Sequence, residues 1–148
     1  MGLVVLQQGP STLPESGENL REWSIRRADV IRAHGARPAL CEVWPDSAYG
    51  VRWSFPAVVH NYHRAAQAAR AQLLPAGEAW QAAWRRAPRL ALYGPDGFHP
   101  SRLGTTLAAL VITARITGTP PARLSLPYAS KTAGLLRASA AEALRAKP

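Results

Sequence analysis

The sequence predicts an α/β fold, an open sheet of parallel strands with helices on both faces, on three observations. Leu3 to Leu6 is a continuous apolar run that reads as a strand buried on both faces, and Arg37 to Trp44 gives a second buried strand. Longer segments between and after them carry apolar residues at helical spacing. The two kinds of segment take turns along the chain, the pattern of βαβ units. Ligands of such sheets sit at the carboxyl ends of the strands, so the loops after Leu6, Val43 and Leu92 are expected at one rim.

The first strand is closed by Gly9-Pro10. Residues 11–19, with Pro14 and Gly17 among polar neighbours, read as a loop, and Asn19 as the cap of a helix from Leu20 to His34 that Gly35 stops. Arg37 to Trp44 is the second strand, and Pro45-Asp46-Ser47 with Gly50 the loop after it. Phe55 to Leu73 reads as a helix through Val58, Tyr62, Ala65, Ala66 and Ala69. A short extended stretch, Leu73-Leu74-Pro75, precedes a helix from Glu78 to Arg86, and Arg89 to Tyr93 is a second extended segment. Leu103, Leu107, Leu110, Val111 and Ala114 place a helix over 100–117, with Pro100 at its first position and Gly118 and Pro120 ending it. A terminal helix is expected over 130–146.

A length of 148 residues with 47% apolar content and five Trp fits one domain with a real core, residues 1–128, and a C-terminal helix within 129–148. The net charge of +9 raises the question of nucleic acid, but the Arg residues are scattered in no run longer than Arg26-Arg27 or Arg85-Arg86. Without a reader motif, nucleic-acid binding is not expected. The lone Cys41 cannot form an internal disulfide and reads as a packed strand residue. Met1 to Leu6 has neither the basic flank nor the length of a signal peptide or a membrane span, so a chain complete as written would stay in the cytoplasm.

The segment richest in chemistry is Tyr93-Gly94-Pro95-Asp96-Gly97-Phe98-His99-Pro100. A carboxylate and an imidazole three residues apart on a Gly/Pro-rich loop can meet, the carboxylate fixing the tautomer while the other ring nitrogen faces a reacting group. The plain alternative is a helix-capping Asp and a surface His. His60 and His63 share a helix face and could ligate a metal, but no third ligand stands at suitable spacing, and a solvated face is the simpler reading. Neither a metal nor an organic cofactor is expected. His34 reads as a charge partner for a helix end. The five Trp residues suit a core, with Trp44 and Trp53 the pair placed to flank a sugar.

The motif Asp96-Gly97-Phe98-His99-Pro100 with Gly104, and the order of segments before it, resemble the C-terminal two-thirds of the SGNH, or GDSL-type, hydrolase superfamily. That resemblance implies a three-layer α/β/α sandwich with a parallel, flavodoxin-like sheet. It implies hydrolysis of acyl or acetyl esters, including those of carbohydrates. Asp96 and His99 would be the acid and base of a Ser-His-Asp triad. Gln7-Gln8-Gly9-Pro10-Ser11 departs from the family's usual Gly-x-Asn-Asp block and is closer to the Gln-Gly-Glu-Ser of its carbohydrate-esterase branches, so Gln8 would donate to the oxyanion, a contribution of about 3 kcal/mol when preorganised. Pro75-Ala76-Gly77-Glu78-Ala79-Trp80 resembles a stretch that lines the rim in some relatives.

No Gly-Asp-Ser nucleophile segment stands in the chain. Pro45-Asp46-Ser47 follows the wrong strand, and Ser11 sits in an ordinary loop context. The expectation is therefore a domain truncated at its N-terminus, whose catalytic Ser lies upstream and which is inactive alone. Its first strand would expose an apolar edge open to self-association. A non-catalytic binding module that retains the cleft is the alternative, and a basic nucleic-acid-associated domain a more distant one.

Overall fold

The computed structural model describes residues 2–49 and 51–145. By its internal contacts the chain divides into two compact units, residues 1–74 and 75–147.

The first unit carries the sheet. Strand β1 (Leu3–Leu6) leads into helix α1 (Pro14–Ala33), strand β2 (Arg37–Glu42), helix α2 (Val51–Ala69) and strand β3 (Gln72–Pro75). The sheet order is β1-β2-β3, and β1 runs parallel to β2 with Leu3 opposite Arg37 and Leu6 opposite Leu40. Parallel pairing puts the loops after β1 and β2 at the same end. β2 is buried from Pro38 onward, the apolar stretch Ala39-Leu40-Cys41 together with Glu42, and burial pushes the Cys41 thiol up to about 11. β1 departs from expectation: Val4 is 40% and Val5 46% exposed, and these neighbours point to opposite faces. An edge strand bonded on one side to β2 is not enclosed, whatever its composition.

Helix α1 starts at Pro14, six residues before the expected Leu20. Pro14 supplies a first-turn residue without an N–H, and the Ser16 hydroxyl accepts from Leu13 N at 3.1 Å and donates to Leu13 O at 2.9 Å. Asn19 is therefore inside the helix rather than its cap. Gly17 is not a loop glycine: a Cβ there would lie 2.5 Å from the Asn61 carboxamide, so its missing side chain lets α1 approach α2. Leu20, Leu40, Val43, Val58, Tyr62, Ala65 and Ala66 fill the space between these helices and the sheet, with Leu6, Ala71 and Leu73 at its margin. At the C-terminal end of α1 the His34 ring Nδ1 lies 2.9 Å from Val30 O, and Arg32 donates to Ala69 O, the last carbonyl of α2, and to Arg70 O just beyond it. α2 begins four residues before the expected Phe55 and ends at Ala69, because Arg70 turns into the left-handed region (φ 50°) and releases the chain into β3. The anticipated loop residue Gly50 and the side chain of Trp53 lie outside the described residues, as does Ala146 at the expected end of the terminal helix.

The second unit packs helices α3 (Ala76–Arg86), α4 (Arg102–Thr117) and α5 (Ser130–Arg145). Their shared core is built on Trp80, Leu92, Leu107, Leu110, Val111 and Leu136, with alanines on all three helices allowing close approach. Glu142 on α5 takes Arg85 at 2.6 Å and Arg86 at 2.5 Å on α3, and these guanidinium groups hold its carboxyl below the usual range. Gly118, at φ 71°, caps α4 by donating to Ala114 O, as its place in the sequence predicts. Residues 89–93 form no strand; Tyr93 alone makes a bridge, to Pro100. Pro100 is thereby outside α4, whose cap is Ser101: its Oγ accepts from Gly104 N at 3.1 Å.

Candidate functional site

The Asp96–His99 loop is built by local hydrogen bonds on a rigid base. Trp80, Trp84 and Tyr93 pack ring to ring at 5.1–5.6 Å, and Trp84 Nε1 donates to Leu90 O at 2.9 Å, which fixes the chain entering the loop. Leaving it, Ser101 N donates to Leu92 O at 2.8 Å and Ser101 Oγ to Ala91 O at 2.7 Å. Helix α4 then passes so close over Leu92 that a Cβ on Gly104 would lie 2.2 Å from Leu92 O and 2.5 Å from Trp80 Cζ2. Trp80 Nε1 donates to Gly104 O at 3.2 Å across the same contact. The glycine after the His-Pro pair thus has a packing reason, which the sequence signalled only as a motif position.

Within the loop, Gly94 N donates to His99 O at 2.8 Å and Gly97 N to Gly94 O at 3.1 Å, with Gly97 at φ 68° where a side chain is disfavoured. Asp96 Oδ1 accepts from the backbone N–H of Phe98 (3.0 Å) and His99 (2.9 Å), an Asx turn. Its Oδ2 lies 2.5 Å from His99 Nδ1. The His99 ring beside it, together with the two backbone donors, lowers the Asp96 carboxyl to about 2. Near neutral pH this carboxylate is an acceptor only, so Nδ1 carries the hydrogen and Nε2 is the nitrogen left to take a proton. The pair stands in the open, the side chains of His99 and Asp96 being 74% and 50% exposed, with the exposed Phe98 ring edge-on to the imidazole at 5.0 Å.

Gln8 belongs to the first unit, in the loop that follows β1. Its backbone N donates to the Tyr62 hydroxyl oxygen at 3.2 Å, and that hydroxyl donates to Gln8 O at 2.6 Å. The Gln8 amide nitrogen donates to Ser11 Oγ at 2.9 Å and to Ser16 O at 3.1 Å. Ser11 itself is buried in the left-handed region at φ 55°, its hydroxyl donating to Gly9 O at 3.0 Å and its carbonyl accepting from Asn61 Nδ2 at 2.7 Å. Tyr62 is fully buried, and burial pushes its hydroxyl well above the ordinary tyrosine range. The loop is thus held by two adjacent residues of α2, Asn61 and Tyr62, of which the sequence pointed only to Tyr62, as an apolar position of the helix. Their signal was weak: two polar groups in a helix whose buried positions are otherwise mostly apolar, Phe55, Val58, Ala65, Ala66 and Ala69.

The other candidates fall apart or change partner. His60 is exposed, whereas His63 Nε2 lies 3.9 Å from Oε2 of Glu42, a carboxylate with no exposed side-chain surface at the end of β2. A charged residue closing an otherwise apolar strand was the available sign of Glu42. Ser47 opens a short 3₁₀ turn, Ser47–Tyr49, where Asp46 Oδ1 accepts from Ala48 N at 2.8 Å, the plain turn rather than a nucleophile elbow. Of the Trp residues, Trp80 is core, Trp23 is 42% exposed under Arg26 and Arg27, and Trp44 is half-buried.

No protein-family model and no curated protein matches the chain. Among solved structures it is similar to that of a DUF4886 family protein from Bacteroides uniformis ATCC 8492, with a TM-score of 0.78 and 17% sequence identity. The match covers 96% of this chain and 61% of that one, so the chain spans about three-fifths of the length of its structural neighbour. At this identity the likeness shows the fold. It is α/β with a three-stranded parallel sheet, consistent with a three-layer α/β/α sandwich. Among the described residues, no helix is long and apolar enough to cross a membrane.

Proposed function

We propose that this chain carries the acid–base half of a serine ester hydrolase of the SGNH type, acting on acyl or acetyl esters, including those of carbohydrates. The observation that carries the reading is the 2.5 Å contact between Asp96 Oδ2 and His99 Nδ1. An ionised carboxylate there selects the tautomer whose Nε2 can take a proton from a hydroxyl nucleophile and return it to the leaving alcohol. Asp96 holds the ring and offsets the imidazolium charge formed in that step. Gln8 is the oxyanion donor of this reading, and the nucleophilic serine is supplied from outside these 148 residues. The mechanism calls for no metal or organic cofactor.

A serine-directed fluorophosphonate tests the proposal. The 148-residue chain should give no stoichiometric adduct, and a polypeptide that includes the nucleophile should label on that serine and lose labelling in His99→Ala. An adduct on a serine within residues 1–148 would contradict the assignment. A loss of ~10²–10⁴-fold in ester turnover for His99→Ala is the matching kinetic expectation.

The exposure of the pair favours a second reading, a non-catalytic module that holds an acylated glycan or another protein against Phe98 and His99. Under it, turnover is absent in every context and His99→Ala leaves ligand binding intact. Self-association through the exposed edge of β1 is a further part of the proposal, carried by Val4 and Val5.

A further inference from the structure

The second unit holds a groove that the Asp96–His99 loop does not use. It has a volume of about 310 Å³ and lies between the outer side of α4, from Thr105 to Thr113, and the segment from Leu124 to Pro127 that leads toward α5. Its walls are built before any ligand arrives. Arg137 of α5 donates from Nε and Nη2 to Leu124 O at 3.2 and 2.8 Å, which fastens one end of the segment. Beyond the other end, the Tyr128 hydroxyl lies 3.2 Å from Thr106 Oγ1 and 3.4 Å from Arg102 O. Ala109, Leu110, Leu124, Leu126 and Pro127 supply apolar surface, and none of the described residues lining the groove is charged. Thr105, Ala109 and Thr113 are exposed, so the groove is open along one side.

We propose that this groove binds the aliphatic chain of a neutral acyl ester. From Thr105 to Thr113 helix α4 rises ~12 Å, room for an extended acyl chain of medium length. A volume of about 310 Å³ stands at the small end for ligand sites and suits a thin, unbranched chain. A helix from a second copy is too thick to enter: two turns, about 10 Å across and about 11 Å long, fill roughly 850 Å³. A charged ligand would find no opposite charge in these walls to replace its water. Thr105 and Thr106 stand at the end of α4 that follows the Asp96–His99 loop, so a head group placed there sends the chain toward Thr113. The choice of an ester rests on the hydrolase reading, whereas the preference for an aliphatic chain rests on the lining alone.

The test measures binding of methyl butanoate, methyl hexanoate and methyl octanoate to the 148-residue chain by ¹³C-methyl NMR. Full burial of a methylene is worth about fourfold in affinity, and a groove open along one side should give about twofold for each one added. Methyl octanoate should therefore bind more than ~10-fold tighter than methyl butanoate and shift the methyls of Ala109, Leu110, Thr113 and Leu126. Ala109→Phe fills the groove from an exposed helix position and should cost at least about tenfold in methyl octanoate affinity. Thr113→Phe should do the same from the far end, with circular dichroism reporting the fold of each variant. Affinities within about twofold across the series, shifts confined to methyls outside the groove, or octanoate bound at least about tenfold tighter than its methyl ester overturns the inference. Failure of the hydrolase reading looks different: the series binds as described, yet His99→Ala costs nothing in ester turnover by a polypeptide that includes the nucleophile.

Discussion

Asp96 accepts three hydrogen bonds, two from backbone N–H groups and one from His99, and this lowers its carboxyl from an ordinary 3.8 to about 2. The depressed value makes those bonds a stabilising feature that is fully present above 3.8 and lost as pH falls through about 2. Both groups are exposed, so the effect is local to the loop. The Phe98 and His99 amide resonances should therefore titrate together with a midpoint near 2; a midpoint at 3.8 would show that the Asx turn and the imidazole contact do not form. Gly104 is the second residue on which the site depends. Gly104→Ala would drive a methyl into Leu92 O and Trp80, destabilising the fold by ~3 kcal/mol, the upper end for overpacking, and urea unfolding measures it.

At the scale of elements, the sequence was most legible where composition and periodicity agree. β2 was visible through its apolar stretch Ala39 to Cys41, and α4 as a periodic segment with a left-handed glycine at its end. Helix starts were not legible, for a physical reason. Pro14 and Gly17 are loop signals by local propensity, but Pro is tolerated in a first turn and Gly17 is demanded by Asn61 on the facing helix, a contact 44 residues away in sequence. The same contact links two elements to the site. In Gly17→Ala the new methyl displaces the Asn61 carboxamide and breaks its bond to Ser11 O, so a loss of ~1–3 kcal/mol should come with altered amide shifts across residues 8–11. Stability lost without any change in those shifts would mean that α1–α2 spacing and the β1 loop are independent. Pro100 shows the limit of motif reading: it suited the first position of a helix, yet Ser101 supplies the cap and leaves Pro100 to pair with Tyr93. Of the candidate site, the Asp–His contact was legible because three residues on one turn bring them together. The support of Gln8 by Asn61 and Tyr62 was not, because it is tertiary.

For the molecule as a whole, the sequence announced β1 as a buried strand and the structure leaves it an edge. The two agree on its chemistry: four apolar residues with both faces partly open. Such an edge is a pairing site unless charge guards it. Sedimentation of the 148-residue chain should show concentration-dependent association that Val5→Lys suppresses; a monodisperse wild-type monomer would remove the edge from the account. Of the basic residues behind the net charge of +9, Arg32 lies on the end of α2, and Arg85 and Arg86 lie on Glu142. Likeness to a DUF4886 family structure supports the fold and leaves the chemistry to the residues themselves. Asp96 is proposed to set His99 as a base, and ¹⁵N NMR of the imidazole, read where the ring is neutral, tests this most directly. The expected result is one neutral tautomer, hydrogen on Nδ1 and lone pair on Nε2, lost in Asp96→Ala; a neutral ring with its hydrogen on Nε2, or a tautomer mixture indifferent to Asp96, would contradict it.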